Sequence, residues 1–335
     1  MPDYPIGYEP IGTVALLTNP RSGYGSARHT TDVALQRLQR RGVEAIAFNA
    51  ASAADTGRLI QRALDDLDFD AIVVCGGDGM INRALQESAT TGIPLGIIPA
   101  GSGNDTARHL RIPFDPVMAA DVIAEGFVTT TDLGLVSNDA GEQAYFGSVL
   151  SCGVDSYMAE RASNMSWAPG PNKFTLAFMQ GLLKMKPNRY HIELRGAQEI
   201  PHLSEEARQR RLDLDGPISP EGLLTIDRDL LIATVGNTRM YGGGRTICPR
   251  ADHHDGLLDL TMTQLVALHK QIRMVNEFLN GDHNPISWLT SYRFREARIE
   301  VDLGVQAHGD GEPLFYAPIN VKCVPAAGRY IVPAP

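Results

Sequence analysis

The sequence predicts two domains of different class, an α/β domain with a mostly parallel sheet followed by a mainly β domain. The chain has 335 residues, long enough for two packed domains, and no apolar stretch long enough to cross a bilayer. From Gly12 to about Gly126, short apolar runs alternate with longer amphipathic ones, as when helices cross over parallel strands. After Thr129, extended alternating segments dominate. We therefore expect domains at 1–130 and 131–335, with the C-terminal end of the second packing back on the first.

The strands predicted in the first half are runs rich in Val, Ile and Leu that end at Gly, Pro or Asn. They are Thr13 to Thr18, Val43 to Phe48, Ala71 to Cys75 and Leu95 to Pro99. Helical periodicity fills the segments between them, and Ser52 and Asp55 have the spacing of a capping box. The predicted helices are Ala27 to Arg41, Ala53 to Leu67, Ile81 to Thr91, Asp105 to Leu110 and Pro116 to Glu125.

The second half alternates like half-buried strands. The predicted strands are Thr131 to Val136, Ala144 to Ser151, Tyr190 to Arg195, Leu230 to Val235, Leu257 to Thr263 and Arg298 to Leu303. Two helices interrupt them, Phe174 to Met185 and Leu265 to Leu279. The first is apolar almost all round with lysines at both ends, so it is either a core helix or one that faces lipid. Gln198 to Gly222 is polar and predicts a surface insertion or a partly mobile loop.

Composition narrows the class of protein. With 43% hydrophobic and 21% charged residues the chain is globular, and its net charge of -9 argues against nucleic acid as a partner. The four cysteines lie far apart without a C-x-x-C pair, which argues against a zinc site and for a reducing compartment. The N-terminus lacks a signal-peptide pattern. We expect a cytoplasmic protein, and any membrane contact at the inner face must be local.

Glycine-bearing loops carry the first functional signal. The buried strand that ends at Cys75 runs into Gly76-Gly77-Asp78-Gly79, followed by Met80, Ile81 and Asn82 at the start of a helix. Such a turn lets backbone N–H groups approach phosphates, and Asp78 can reach a metal ion. A plain strand-to-helix turn is the other interpretation. A second loop holds Gly101, Ser102, Asn104 and Asp105, and a third spans Asn19 to Gly23. All three follow strands of one predicted parallel sheet, whose carboxyl edge is where ligands bind, so together they predict a nucleotide crevice.

The motifs, taken in order, resemble those of the soluble lipid kinases related to bacterial diacylglycerol kinase and, more distantly, to sphingosine and ceramide kinases. The resemblance spans nearly the whole chain. Besides the three loops, it rests on Asp132-Leu133-Gly134, Gly236-Asn237, Tyr241 to Gly244, Pro249 to Leu258, and Asp310-Gly311-Glu312. It implies a β-sandwich-like second domain and an interdomain cleft in which ATP phosphorylates a lipid hydroxyl, with diacylglycerol as the default substrate at a membrane surface. It leaves the oligomeric state open, and a homodimer is one state it allows.

The resemblance also implies roles for single residues. The ATP-binding positions are Asn19, Pro20, Arg21, Ser22, Gly23, Gly76, Gly77, Asp78, Gly79, Met80, Ile81, Asn82, Ser102 and Asn104. The acids that arrange a catalytic Mg²⁺ are Asp78, Asp105 and Asp132. Glu312 matches the proton acceptor, with Asp310 beside it. Asp255, with backbone carbonyls of Asp252 and Leu257, matches a structural Mg²⁺ site.

Phosphoryl transfer explains these residue types independently, because carboxylates must hold Mg²⁺ against the phosphate oxygens and another must accept the alcohol proton. Alternatives stay open at two places. Asp310-Gly311 on its own is a strong hairpin-turn signal. Asp252-His253-His254-Asp255 could be a zinc cluster or an exposed polar loop, although adjacent histidines seldom point at one ion.

Three positions depart from the family pattern. Met80 stands where Thr is usual, Arg83 where Glu is common, and Ala50 where a Thr often lies beside the nucleotide. Met80 and Arg83 keep open a catalytically silent protein that binds nucleotide or lipid. A kinase of NAD is a second alternative, because that fold also uses a Gly-Gly-Asp-Gly loop, although the Asp-Gly-Glu and Tyr-Gly-Gly-Gly motifs favour the lipid kinase.

Overall fold

The computed structural model describes residues 5–18, 26–49, 57–62, 69–153, 186–200, 205–241, 244–264, 289–301 and 304–335. The chain forms two compact units. Unit 1 comprises Met1–Leu133 and Pro325–Pro335, and unit 2 comprises Gly134–Val324. Each passage of the chain between the units lies inside a strand, β6 (Phe127–Asn138) on the way out and β19 (Ile319–Ile331) on the way back. None of the helices in the described residues is long and apolar enough to cross a membrane.

Unit 1 is built on a parallel sheet with the strand order β5, β4, β2, β3. The bounds are β2 (Thr13–Thr18), β3 (Glu44–Asn49), β4 (Ala71–Gly76) and β5 (Leu95–Pro99). Every residue of β4 and β5 is buried, as expected for central strands covered on both faces. The end of β19 continues the sheet beside β5 in parallel, with Tyr330 opposite Leu95. A short strand, β1 (Ile6–Tyr8), pairs antiparallel with the start of β6.

Helices connect these strands as the sequence predicts. They are α1 (Ser26–Arg40), α2 (Asp78–Ser88), α3 (Asp105–His109) and α4 (Pro116–Glu125), and residues 57–62 are also helical. The residues directly before and after α4 determine where this helix begins and ends. Asp115 caps it by accepting from the N–H groups of Val117 and Met118, and Gly126 ends it in the left-handed conformation with φ 72°. The predicted α/β class with a mostly parallel sheet is confirmed.

Unit 2 is an all-antiparallel, sandwich-like unit, which confirms the predicted class of the second half. One sheet has the order β15, β14, β11, β8, β17, β18, and in the other β10, β9, β16 and the first part of β19 are neighbours. The bounds are β7 (Gln143–Phe146), β8 (Val149–Gly153), β9 (Asn188–Arg195), β10 (Leu223–Leu230), β11 (Ile232–Gly236), β12 (Met240–Tyr241), β13 (Arg245–Thr246), β14 (Leu258–Thr263), β15 (Leu289–Phe294), β16 (Glu296–Val301), β17 (Gln306–Gly309) and β18 (Glu312–Tyr316). One buried apolar cluster holds alternate residues of both sheets, among them Tyr190, Ile192, Leu260 and Tyr292.

Several predicted elements of the second half need correction. The single strand expected over Ala144 to Ser151 is two strands, broken at Gly147 and Ser148. The strand expected over Leu230 to Val235 is likewise interrupted at Leu231, which separates β10 from β11. The polar segment from Gln198 to Gly222 contains a helix, α5 (Glu205–Asp215). The two helices predicted at Phe174 to Met185 and Leu265 to Leu279 lie outside the described residues.

Candidate functional site

The glycine loop after β4 forms the first turn of α2. Gly77 is the N-cap residue, in an extended conformation and without a side-chain cap, and Asp78 is the first helical residue. The helix therefore begins three residues earlier than the predicted Ile81. The backbone N–H groups of this first turn, together with the helix dipole, offer a favourable environment for phosphate oxygens. Met80 folds back over the strand end, since a Cβ on Gly76 would lie 2.6 Å from its sulfur.

The loop after β5 packs directly on the glycine loop. Ala100 donates its N–H to the carbonyl of Gly76 at 2.9 Å. A Cβ on Gly101 would lie 2.4 Å from the Cα of Gly77, so the two backbones approach closely and only glycine fits there. The structure thus brings the two loops together at the carboxyl ends of β4 and β5. The third predicted loop, Asn19 to Gly23, lies outside the described residues, as does Ala50.

Asn104 shapes its own loop. It has a left-handed backbone with φ 53° and precedes α3 as the N-cap residue. Its side-chain oxygen accepts from Gly101 N–H at 2.9 Å, and its amide donates to Gly101 O at 3.0 Å. Ser102 lies between them and is exposed. The buried Asn104 is therefore engaged in holding the loop, whereas Ser102 is the side chain that is open to a ligand.

The acids predicted to arrange a catalytic metal all lie in unit 1. Asp78 accepts the N–H of Thr106 at 3.1 Å, which joins the start of α2 to α3. Asp105 is the first residue of α3. Asp132 is buried and accepts the N–H of Ala326 at 2.9 Å. Carboxylate oxygens suit Mg²⁺, which is commonly held by one or two carboxylates together with substrate phosphates, so the chemistry of this donor set fits the ion.

An open cavity of about 580 Å³ lies beside α2, and it is rich in arginine. Its lining residues are Gly57, Arg58, Gln61, Arg62, Arg83, Gln86 and Glu87. Gln61 donates to Glu87 at 2.6 Å and so joins helical residues 57–62 to α2. Arg83, one of the departures from the family pattern, thus places positive charge in a cavity one turn along the helix from the glycine loop. The sequence shows the substitution but not the cavity.

The Asp310-Gly311 turn joins β17 to β18 in unit 2. Both residues have positive φ, 52° and 86°, as in a type I′ hairpin turn. The carboxylate of Asp310 accepts three backbone N–H groups, from Gly147 and Ser148 at 2.8 Å and from Val149 at 3.1 Å. These bonds explain why the strand predicted over Ala144 to Ser151 is broken. Asp310 therefore stabilises the link between β7 and β8, in addition to any role in the chemistry.

Glu312 follows the same turn as the first residue of β18. It lies opposite Gly309 in the β17–β18 pair and is half-buried. The hairpin fixes its backbone, because β18 pairs with β17 and β17 pairs in turn with β8. A half-buried carboxylate on a fixed strand end can accept a proton from a bound alcohol.

The Asp255 loop, which we define as Ala251–Leu257, also lies in unit 2. Asp255 accepts the N–H of Leu257 at 3.0 Å through Oδ1, and Oδ2 lies 3.1 Å from a guanidinium nitrogen of Arg293. Asp252 accepts the N–H of His254 at 3.1 Å. An arginine thus stands at the carboxylate predicted to bind a structural Mg²⁺. In this arrangement the donor set suits Mg²⁺ poorly, because Arg293 already pairs with Oδ2 and Leu257 N–H already binds Oδ1.

Two further features belong to this loop. Side-chain ligand atoms of Asp252, His253 and His254 lie within 4.8 Å of one another, and the two imidazole rings are 3.9 Å apart and tilted. Three consecutive residues supply this group, and structural zinc needs four ligands. Nearby, burial raises the pKa of Asp259 to about 7, while Arg293 acts in the opposite direction.

Comparison with known proteins gives the family. Residues 13–136 match the diacylglycerol kinase catalytic domain, and residues 148–332 match the YegS C-terminal NAD kinase beta sandwich-like domain. The chain is 36% identical over 324 residues to a diacylglycerol kinase of Mycobacterium tuberculosis strain H37Rv, covering 96% of both proteins. The chain belongs to the diacylglycerol kinase family. It is therefore a lipid kinase, and the predicted enzyme class is confirmed.

More distant relatives agree with this family. A diacylglycerol kinase of Bacillus subtilis strain 168 is 25% identical over 301 residues, with 89% of this chain and 88% of the relative covered. A solved structure described as one of the diacylglycerol kinases of Bacillus anthracis strain Sterne matches with a TM-score of 0.68 and 17% identity, over 96% of this chain and 97% of the other. At that identity the structural match bears on the fold alone. It agrees with the α/β and sandwich-like units of this lipid kinase.

Proposed function

We propose that the protein transfers the γ-phosphoryl group of ATP to the free hydroxyl of diacylglycerol and produces phosphatidic acid and ADP. The observation that carries this proposal is the packing of Gly77 against Gly101, which joins two glycine loops at the carboxyl ends of β4 and β5. Such an edge, with a helix N-terminus directed at it, is suited to a nucleotide polyphosphate. Likeness over 96% of a diacylglycerol kinase supports the choice of acceptor.

We assign nucleotide binding to unit 1. The N–H groups from Gly77 to Met80 would hold phosphate oxygens, and the exposed Ser102 would add a hydroxyl donor. Asn19 to Gly23 would contribute the third loop, as the sequence predicts. Because backbone groups carry most of these contacts, the change from Thr to Met at position 80 is compatible with binding.

We assign metal and proton chemistry to separate acids. Asp78, Asp105 and Asp132 would hold Mg²⁺, which when bound neutralises charge on the phosphate oxygens. Glu312 would take the proton from the lipid hydroxyl as its oxygen bonds to the γ-phosphorus, while the bond between that phosphorus and the ADP oxygen breaks. Asp310 would keep the turn that carries Glu312 in place.

One assay distinguishes this function from its alternatives. Purified protein is incubated with Mg²⁺ and γ-labelled ATP, and the acceptor is dispersed diacylglycerol, a sphingoid base, NAD or none. We expect label in phosphatidic acid. Label in NADP instead would favour the NAD kinase alternative, which the sandwich-like C-terminal match keeps relevant. Nucleotide binding without label in any acceptor would favour the silent binding protein.

Membrane contact follows from the proposed acceptor, because diacylglycerol resides in a bilayer. We propose that the protein acts at the surface of such a bilayer. Co-sedimentation with vesicles that contain diacylglycerol, compared with vesicles that lack it, tests this directly.

A further inference from the structure

We propose that the guanidinium of Arg293 is the resident cation of the Asp255 loop and that the loop is held without a divalent metal. Resemblance to the family predicts a structural Mg²⁺ there, with one carboxylate and two carbonyls as ligands. The contacts of Arg293 supply the same kind of neutralisation from within the chain. The inference concerns the stability of unit 2 and does not depend on the proposed acceptor.

Strand register brings Arg293 to the loop. In the β14–β15 pair, Asp259 lies directly opposite Arg293, so both side chains extend from the same face of the sheet. Nε of Arg293 lies 3.8 Å from Asp259 Oδ2, and NH1 lies 3.1 Å from Asp255 Oδ2. NH2 donates to the carbonyl of Arg250 at 2.8 Å. Each guanidinium nitrogen therefore faces an oxygen, two from carboxylates and one from the backbone.

The guanidinium suits this place better than Mg²⁺. Its planar, rigid fork places NH1 and NH2 at 3.1 and 2.8 Å from oxygens, while Nε lies 3.8 Å from Asp259 at an ion-pair distance. Mg²⁺ instead requires oxygens at roughly 2.0–2.1 Å in an octahedron. Only 17% of the Arg293 side chain and 2% of the Asp259 side chain are exposed, so screening by solvent is weak. A divalent ion would therefore compete with the guanidinium for the same carboxylates.

Neighbouring contacts keep the arrangement in place. The backbone of Arg293 exchanges two hydrogen bonds with Gln198, at 2.8 and 3.1 Å. A second arginine, Arg239, donates from Nε to the carbonyl of Ala251 at 3.1 Å, at the start of the loop. Asp255 binds the N–H of Leu257 with its other oxygen. The beginning, the middle and the end of the loop are thus all bound by groups of the chain itself.

Thermal melts of the full chain without nucleotide test the inference. We expect wild type to melt within about 1 °C of the same temperature in EDTA and in a series of Mg²⁺ concentrations. Asp255→Asn weakens the pair with Arg293 and should lower the melting temperature by roughly 5–10 °C, equally in EDTA and in Mg²⁺. Arg293→Lys keeps the positive charge but loses the planar guanidinium. Its melting temperature should lie between those of wild type and Asp255→Asn and should not change with Mg²⁺.

A matched control is Arg189→Met, which removes an arginine from an exposed pair with Asp229 in the same unit. It should melt close to wild type. The inference is overturned if wild type gains several degrees from Mg²⁺ and Asp255→Asn abolishes that gain. A Mg²⁺ gain that is equal in wild type and Asp255→Asn supports it, because the ion then binds elsewhere. The comparison of wild type in EDTA and in Mg²⁺ tests the inference even if a variant does not fold.

Discussion

Asp310 and Glu312 are two residues apart, but their surroundings differ. The carboxylate of Asp310 is bound by three backbone N–H groups of residues 147–149. Glu312 begins β18 and is half-buried. The sequence predicts both as catalytic because they share one motif with the family. Register and hydrogen bonds distinguish them, since the contacts of Asp310 are made to a segment more than 160 residues away along the chain.

Substitution of these two acids should give different results. Glu312→Gln should lower turnover by roughly two to four orders of magnitude while the melting temperature and ATP affinity stay close to wild type, as expected for a lost general base. Asp310→Asn should lower the melting temperature as well, because an amide has only one oxygen to accept the three N–H groups. Turnover with saturating lipid and thermal melts of both variants provide the measurements. Near-normal turnover of Glu312→Gln would contradict its assignment.

Gly101 should tolerate no side chain. A Cβ there would lie 2.4 Å from the Cα of Gly77 and 2.9 Å from the side-chain oxygen of Asn104. Gly101→Ala should therefore push the two loops apart and weaken ATP binding at least tenfold, by displacing N–H groups that would hold phosphate. Gly92→Ala, at an exposed turn with open space around it but with φ 83°, controls for general backbone strain. Equal ATP affinity in the two variants would remove Gly101 from the site.

At the scale of elements, α5 shows how a very polar helix can be docked. Its last residue, Asp215, has a fully buried side chain that accepts from Tyr292 OH at 2.6 Å and lies 2.9 Å from Nε of the buried Arg228. Arg211 pairs with Glu199 and lies over the ring of Tyr292. The polar composition of residues 198–222 predicts a surface insertion, because the buried partners Arg228 and Tyr292 lie outside that segment. Buried ion pairs, rather than an apolar stripe, hold the helix.

Removal of one partner of the buried Asp215 carboxylate should destabilise the protein strongly. Arg228→Met would leave the Asp215 carboxylate buried with less compensation, a change that typically destabilises by about 3–5 kcal/mol. Burial already raises the pKa of Asp215, against the effects of Tyr292 and Arg228. Chemical unfolding of Arg228→Met and of wild type measures the loss. The exposed Arg189→Met should change stability by less than about 1 kcal/mol, and a similarly small loss for Arg228→Met would show that the network contributes little.

The antiparallel pair of β9 and β10 carries a pH-dependent contact. His191 Nδ1 lies 2.7 Å from Asp227 Oδ1 on the opposite strand, and this hydrogen bond, assisted by Glu193, raises the pKa of His191 above 6.5. The protonated form is thus favoured by folding, so its contribution to stability is complete below pH 6.5 and is lost as the pH rises through the folded pKa. Asp227→Asn should bring the pKa back toward 6.5, as followed by NMR of the imidazole. An unchanged titration would contradict the assigned cause.

At the scale of the whole molecule, the sequence predicts the bounds of elements in unit 1 better than those in unit 2. The strands β2 and β5 and the helix α4 have the bounds that the sequence predicts, because apolar runs and caps such as Asp115 and Gly126 act locally. In unit 2, β17 and β18 are short and joined by a turn, and β19, which runs from unit 2 into unit 1, contains Pro325 and Gly328, so periodicity does not reveal these strands. Similarly, the motifs predict the glycine loops, whereas Arg293 is revealed only by the register of β14 and β15.

Unit 1 consists of two pieces of chain, 1–133 and 325–335, and all of unit 2 lies between them in the sequence. Ala326 binds the carboxylate of Asp132, Tyr330 pairs with the edge of β5, and Ile331 and Val332 are buried. During translation, residues 325–335 are made only after all of unit 2, so residues 1–133 are synthesised well before the strand that completes their sheet. A nascent chain that stops short of Pro325 therefore lacks both the strand beside β5 and the hydrogen bond from Ala326 to Asp132.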